Sequence, residues 1–70
     1  MNLISAELGR EYIINGVVTG DEELDSFLFS IGCFAGETIT VISRLRSSVT
    51  VAIKGGRYNI DNRLASAICI

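Results

Sequence analysis

The sequence predicts a mainly β domain, a small, partly open barrel of about five short strands with one inserted α-helix. Three observations carry that expectation. Isoleucine and valine together number fifteen against six leucines, and β-branched side chains, stiff at χ1, suit the pleated strand better than the helix. Apolar and polar residues alternate over two stretches of the second half, the period of a half-buried strand. One longer segment carries a helical period instead. A chain of 70 residues, 49% of them apolar, buries only about 60% of the surface its unfolded form exposes. It therefore holds one small core, and residues 1–70 read as a single domain with no linker, repeat or low-complexity tract.

Glu11 to Val18 is the first strand, interrupted by Asn15-Gly16. Too few residues flank that pair to build two hairpin arms, so it reads as a glycine bulge that bends one strand. From Asp21 the period changes: Leu24, Phe27, Leu28 and Ile31 fall at i, i+3, i+4 and i+7, which puts them on one helix face, toward the core. Thr19 with Glu22 three residues on reads as a capping box, and Gly32 as the left-handed residue that ends the helix. Asp21, Glu22 and Glu23 sit in the first turn, where carboxylates interact favourably with the helix dipole; pointing around the circumference, they do not converge on a metal.

Glu37 to Ser43 alternates, with Ile39 and Val41 on one side and Thr38 and Thr40 on the other. Val49, Val51 and Ile53 do the same against Thr50, Ala52 and Lys54. Between them Arg44-Leu45-Arg46-Ser47-Ser48 forms a polar hairpin loop. Gly55-Gly56 supplies the two positive-φ positions of a type I′ turn and leads into a third strand with Tyr58 and Ile60. Asp61 caps one helical turn over Asn62, Arg63, Leu64 and Ala65, and Ala67 to Ile70 is the last strand. Closure into a barrel hides the edges that a flat sheet of this apolarity would expose.

Mean hydropathy is +0.44, yet the longest unbroken apolar run is Ala67-Ile68-Cys69-Ile70, far below the roughly 18 residues of a spanning helix. The start, Met1 to Glu7, lacks the basic residues and continuous apolar stretch of a secretory signal, so the chain reads as cytoplasmic. Cys33 and Cys69 read as reduced, space-filling small hydrophobes. With no histidine and the two cysteines 36 positions apart, neither a four-ligand zinc set nor a Cys-His nucleophile can be assembled. No glycine run spells a phosphate-cradling loop, and the carboxylates lie in solvated helix and turn positions where nothing raises a pKa toward neutrality. No catalytic residue, metal ligand or cofactor is assigned. A pI of 4.8 has the wrong sign for phosphate contacts, and nucleic acid is not expected as a partner. Arg44, Arg46, Lys54, Arg57 and Arg63 gather in the second half while Asp21, Glu22, Glu23 and Asp25 crowd one segment, an asymmetry that suits a protein partner.

Three apolar residues are hard to place in a core. A helical projection sets Phe29 about 140° from Leu24, Phe34 falls in the turn after the helix, and Leu45 stands between Arg44 and Arg46. Phe29, Phe34, Arg44, Leu45 and Arg46 are thus the candidates for contact with a partner. Exposed hydrophobes are ordinary singly; adjacency of Phe29 and Phe34 would mark a docking patch.

The order of strand, helix ending in Ile31-Gly32, turn glycine Gly36, and Gly56-Arg57-Tyr58-Asn59-Ile60-Asp61 followed by Leu64-Ala65 and Ile68, resembles the FeoA family over essentially the whole chain. Leu28 to Val41 is similar to that family's L-x-x-L-G-x-x-x-G-x-x-I/V-x-V pattern. The resemblance implies an SH3-like β-barrel with an inserted helix. It further implies a cytoplasmic, non-enzymatic companion of FeoB, the ferrous iron transporter with a cytosolic G domain. A weak homo-oligomer is compatible with the sequence. The sequence departs from the pattern at Ala35, where proline commonly precedes the turn glycine, and at Phe27, where a basic residue is frequent. Two other readings remain: a nucleic-acid-binding small barrel resting on Lys54, Arg57 and Tyr58, and a metal-responsive domain similar to the C-terminal domains of iron-dependent repressors.

Overall fold

The computed structural model describes residues 1–70 throughout. A 3-10 turn at Leu3–Ser5 opens the chain, capped by the Asn2 side chain, which accepts from the Ile4 N–H. It drops Leu3 into the core. Three residues are too short a stretch to carry a readable period, so the sequence gives no sign of this turn. Then follow β1 (Glu11–Ile13), β2 (Gly16–Val17), α1 (Glu22–Ser30), β3 (Thr38–Arg44), β4 (Ser48–Ile53), β5 (Gly56–Asp61), α2 (Asn62–Ser66) and β6 (Ile68–Cys69). All pairings are antiparallel, in one sheet of order β1-β3-β4-β5 and a second made of β2 and β6.

The two sheets enclose a single apolar core. The expected alternation supplies Ile39 and Val41 from β3, Val49, Val51 and Ile53 from β4, and Ile60 from β5; Leu3, Ala6, Ile14, Leu28, Cys33, Ala65 and Ile68 complete it. No polar or charged residue is buried with them. The core thus needs no internal hydrogen-bond network, and the burial of apolar surface supplies its stability.

Glu11–Val18 is not one bulged strand. Gly16 does not take positive φ. The chain instead changes sheets at Ile14-Asn15: the Ile14 N–H donates to the Glu37 carbonyl at 2.8 Å, and the Asn15 N–H donates to the Cys69 carbonyl at 2.8 Å. Each half pairs with a partner distant in sequence, so β1 and β2 are separate strands and the count is six. Ile14 itself fills the corner between the sheets.

Helix α1 starts two residues later than a Thr19 cap requires. Asp21 is the N-cap, accepting from the N–H groups of Glu23 and Leu24 at 2.9 and 3.3 Å. Thr19 donates its hydroxyl and N–H to the Asp25 carboxylate at 2.6 and 3.2 Å. A carboxylate is the stronger acceptor for amides at the positive end of a helix, which is why Asp21 displaces Thr19 from the capping role. The C-terminus follows expectation: Gly32, at φ +95°, donates to the Phe29 carbonyl, and Cys33 to the Leu28 carbonyl, at 3.0 and 2.8 Å. These are the paired bonds of a Schellman motif. Only Leu28 is fully buried from the helix, Ile31 packs against the core and Leu24 is half-buried. Phe27 lies 46% exposed, contrary to its expected place in the core stripe. A nine-residue helix that sends one side chain fully into the core presents a narrower stripe than one packed along a sheet.

The β4–β5 turn also sits one residue earlier than expected. Lys54 (φ 49°) and Gly55 (φ 80°) are its positive-φ pair, while Gly56 already belongs to β5 opposite Ile53. Gly56 lies under the Tyr58 side chain, whose hydroxyl is 2.5 Å and two ring carbons 2.9 Å from where a Cβ would stand. In the β3–β4 hairpin Arg44 and Ser48 belong to the strands, and β3 shifts register between Val41 and Ser43. Asp61 caps α2 as expected, accepting from the Leu64 N–H at 2.9 Å.

Candidate functional site

Phe29 on the last turn of α1 and Phe34 just beyond it come together because the Schellman turn at Gly32 reverses the chain between them. Their ring centroids are 4.9 Å apart with planes tilted by 35°. Phe29 is 65% exposed and Phe34 half-buried. Lys54 joins them from the β4–β5 turn: its Nζ stands 5.0 Å from the Phe34 ring centroid and 3.3 Å from Glu37 Oε1. An apolar surface held by ring stacking and bordered by a cation over one ring is rigid and cheap to desolvate, the composition of an interface anchor. From the sequence Lys54 stands among the clustered basic residues and with Arg57 and Tyr58 in the nucleic-acid reading, not beside the aromatic pair. Its place beside Phe34 depends on the turn that gives it positive φ, a conformation the neighbouring Gly55-Gly56 pair masked.

The other candidates lie elsewhere. Leu45, 64% exposed, occupies the tip of the β3–β4 hairpin, at the opposite end of β4 from Lys54. Six residues of strand separate the two ends, roughly 20 Å at about 3.3 Å per residue. Arg46 shares that tip. Arg44 is engaged in the fold, donating from Nη2 to the carbonyls of Leu3 and Ala6 at 3.0 Å each. It thereby ties the N-terminal 3-10 turn to β3. The five candidates thus divide into the Phe29–Phe34 cluster, a hairpin tip carrying Leu45 and Arg46, and Arg44, which the fold itself engages.

The residues behind the nucleic-acid reading do not converge either. Arg57 and Tyr58 are neighbours in β5 and point to opposite faces. Tyr58 lies over Gly56, while Lys54 is paired with Glu37. No flat row of exposed rings results on which bases would stack.

No group of three or more cysteine and carboxylate side chains converges as a metal site, and the chain encloses no pocket for a small molecule. Cys33 is buried as expected of a space-filling thiol, but Cys69 is exposed on β6. Burial pushes the Cys33 thiol from an ordinary 9.0 up to about 11. The unfolded chain releases this proton near 9.0 and the folded chain only near 11, so stability is complete below that window and falls as pH rises through it. Denaturant midpoints measured across the window in wild type and Cys33→Ala will show the steeper alkaline loss in wild type. In the native protein a thiol reagent will modify Cys69 promptly and Cys33 only on unfolding.

A mainly β chain folded as two small antiparallel sheets around one apolar interior, with a tilted aromatic pair at its surface, belongs to the class of small β-barrel domains. The FeoA domain model matches residues 1–70. The chain belongs to the FeoA family, a non-enzymatic accessory domain associated with ferrous iron transport.

Solved structures agree on the fold. An iron uptake regulatory protein (FeoA) superposes with a TM-score of 0.86 at 23% identity, over 97% of this chain and 91% of that one. The FeoA of Stenotrophomonas maltophilia, a prokaryotic SH3 domain protein determined with zinc, gives 0.84 at 15% identity, over 97% and 86%. A manganese-dependent transcriptional repressor gives 0.87 at 20% identity over 97% of this chain, which spans only 39% of the repressor's length. No curated protein matches the sequence significantly. The architecture is therefore the SH3-like barrel with a short inserted helix. No helix is long and apolar enough to cross a membrane.

Proposed function

We propose that this chain is a single-domain cytoplasmic accessory protein that docks on the cytosolic part of a FeoB-type ferrous iron transporter and regulates its transport. The carrying observation is the exposed Phe29–Phe34 pair with Lys54 at its edge. Family membership supplies the transport system; the patch supplies a surface with the rigidity and apolarity of an anchor. Ferrous iron is the cargo of that system, and the transporter carries both the iron path and the nucleotide chemistry. The accessory chain contributes contact alone.

Titration of the full chain into the purified cytosolic domains of the transporter tests the reading. Saturable binding is expected in at least one of the GTP-analogue and GDP states. Flat isotherms in both overturn it.

A further inference from the structure

The four-stranded sheet ends at β5, and that edge is open. A two-residue turn makes Ile53 and Gly56 a hydrogen-bonded pair, so Val51–Tyr58 and Val49–Ile60 are also hydrogen-bonded pairs. The bond from the Asn62 N–H to the Ser47 carbonyl continues the same alternation. The backbone groups of the intervening residues, Arg57, Asn59 and Asp61, consequently point away from β4. None of them bonds to any turn or loop, and all three residues are exposed. A strand of six residues without a bulge, a proline or a covering element on this edge is a template for another strand.

The side chains along it are self-complementary. Let a second β5 run antiparallel with the two Asn59 residues opposite each other. That register pairs outward-facing backbone with outward-facing backbone. Asn59 exchanges both bonds with Asn59 of the partner subunit, and the Asp61 N–H of each copy reaches the Arg57 carbonyl of the other. The Asp61 carbonyl, at the N-cap, stays with the first turn of α2. The same register sets Arg57 directly opposite Asp61 of the partner subunit, twice, about a two-fold axis through Asn59. Cross-strand partners on one face lie about 5 Å apart at Cβ, where opposite charges attract. Asp61 is free to accept there, because the Leu64 N–H uses only Oδ1. The Asn59 carboxamide is already drawn toward β4, donating to Ser48 Oγ and Thr50 Oγ1 at 3.2 Å each, which clears the axis. A register displaced by two residues sets Arg57 against Asn59 of the partner subunit, one displaced by four sets it against Arg57 of the partner subunit, and each loses both charge pairs.

From this the geometry points to a reversible homodimer in which β5 pairs with β5 of a second copy, centred on Asn59, making one continuous sheet of eight strands from two four-stranded sheets. The surface lies on an element different from the Phe29–Phe34 patch and does not depend on the transporter reading.

Sedimentation of the full chain from micromolar to millimolar concentration tests it. Wild type will show a concentration-dependent monomer–dimer equilibrium. Asn59→Pro removes an N–H that makes no bond within the chain, so it will leave the far-ultraviolet circular dichroism of the monomer unchanged and abolish the dimer. Arg57→Asp, a change at an exposed position, will place acids opposite each other and weaken association about tenfold. A monomer across the whole range overturns the proposal, as does a dimer that Asn59→Pro leaves intact.

Discussion

Leu28→Ala will lower the free energy of unfolding by about 3–4 kcal/mol, within the range for deleting a fully buried leucine from a core that collapses poorly around the gap. Leu28 is the one residue of α1 with no exposed surface, and it is the side chain that anchors the helix on the barrel. The Leu28 backbone adds to the consequence, since its carbonyl receives the Cys33 N–H that closes the Schellman turn. A domain of this size has a total stability of about 4–10 kcal/mol, so the variant sits near its threshold. Urea denaturation will show a lower midpoint with an unchanged slope. Leu24→Ala, one turn earlier and half-buried, will cost about 1 kcal/mol. Equal losses at the two positions would mean that the helix is not held by Leu28.

The double variant Phe29→Ala/Phe34→Ala will bind the transporter's cytosolic domains at least about 100-fold more weakly, the effect of removing two aromatic anchors at the centre of an interface. Because Phe29 is mostly exposed, its loss alone leaves the fold nearly as stable as wild type. Phe34, half-buried, will cost about 1 kcal/mol. The single variants will be non-additive in binding, since each ring holds the other in place at 4.9 Å. Leu45→Ala is the control: it lies at the far end of β4, and its affinity will stay within about twofold of wild type. A Leu45 effect equal to that of the aromatic pair would move the docking surface to the hairpin tip.

The β3–β4–β5 meander was legible because each strand carries its own alternation and its neighbours follow within a few residues. Ile39, Val41, Val49, Val51, Ile53 and Ile60 could all be placed inward from the sequence. Long-range pairing was not legible. Nothing near Ile14-Asn15 indicates that one side pairs with β3 and the other with β6, some fifty residues on, and a local bulge was the natural local reading. Caps and turns erred by one or two residues wherever two suitable side chains compete, as with Thr19 and Asp21 before α1, or where a non-glycine takes positive φ, as Lys54 does. The aromatic site was visible in its parts: the helical projection put Phe29 outside, and the turn put Phe34 beyond the helix. Its contiguity depends on how the Gly32 turn folds the chain back, and the split between Phe29–Phe34 and Leu45–Arg46 depends on the length of β4 between them.

The first and last residues of the sequence are held together. The Ile70 N–H donates to the Met1 carbonyl at 2.9 Å, and Asn2 bridges to Cys69. Such a barrel can be spliced into a larger polypeptide through a single seam, with both connections leaving from one spot and neither sheet disturbed. Joining the ends with a short linker and cutting at an exposed loop would give a permuted chain with the same strand neighbours. The same economy suits a fold that recurs within 39% of a repressor chain: it travels between architectures as a plug-in unit whose host needs to accommodate one attachment point.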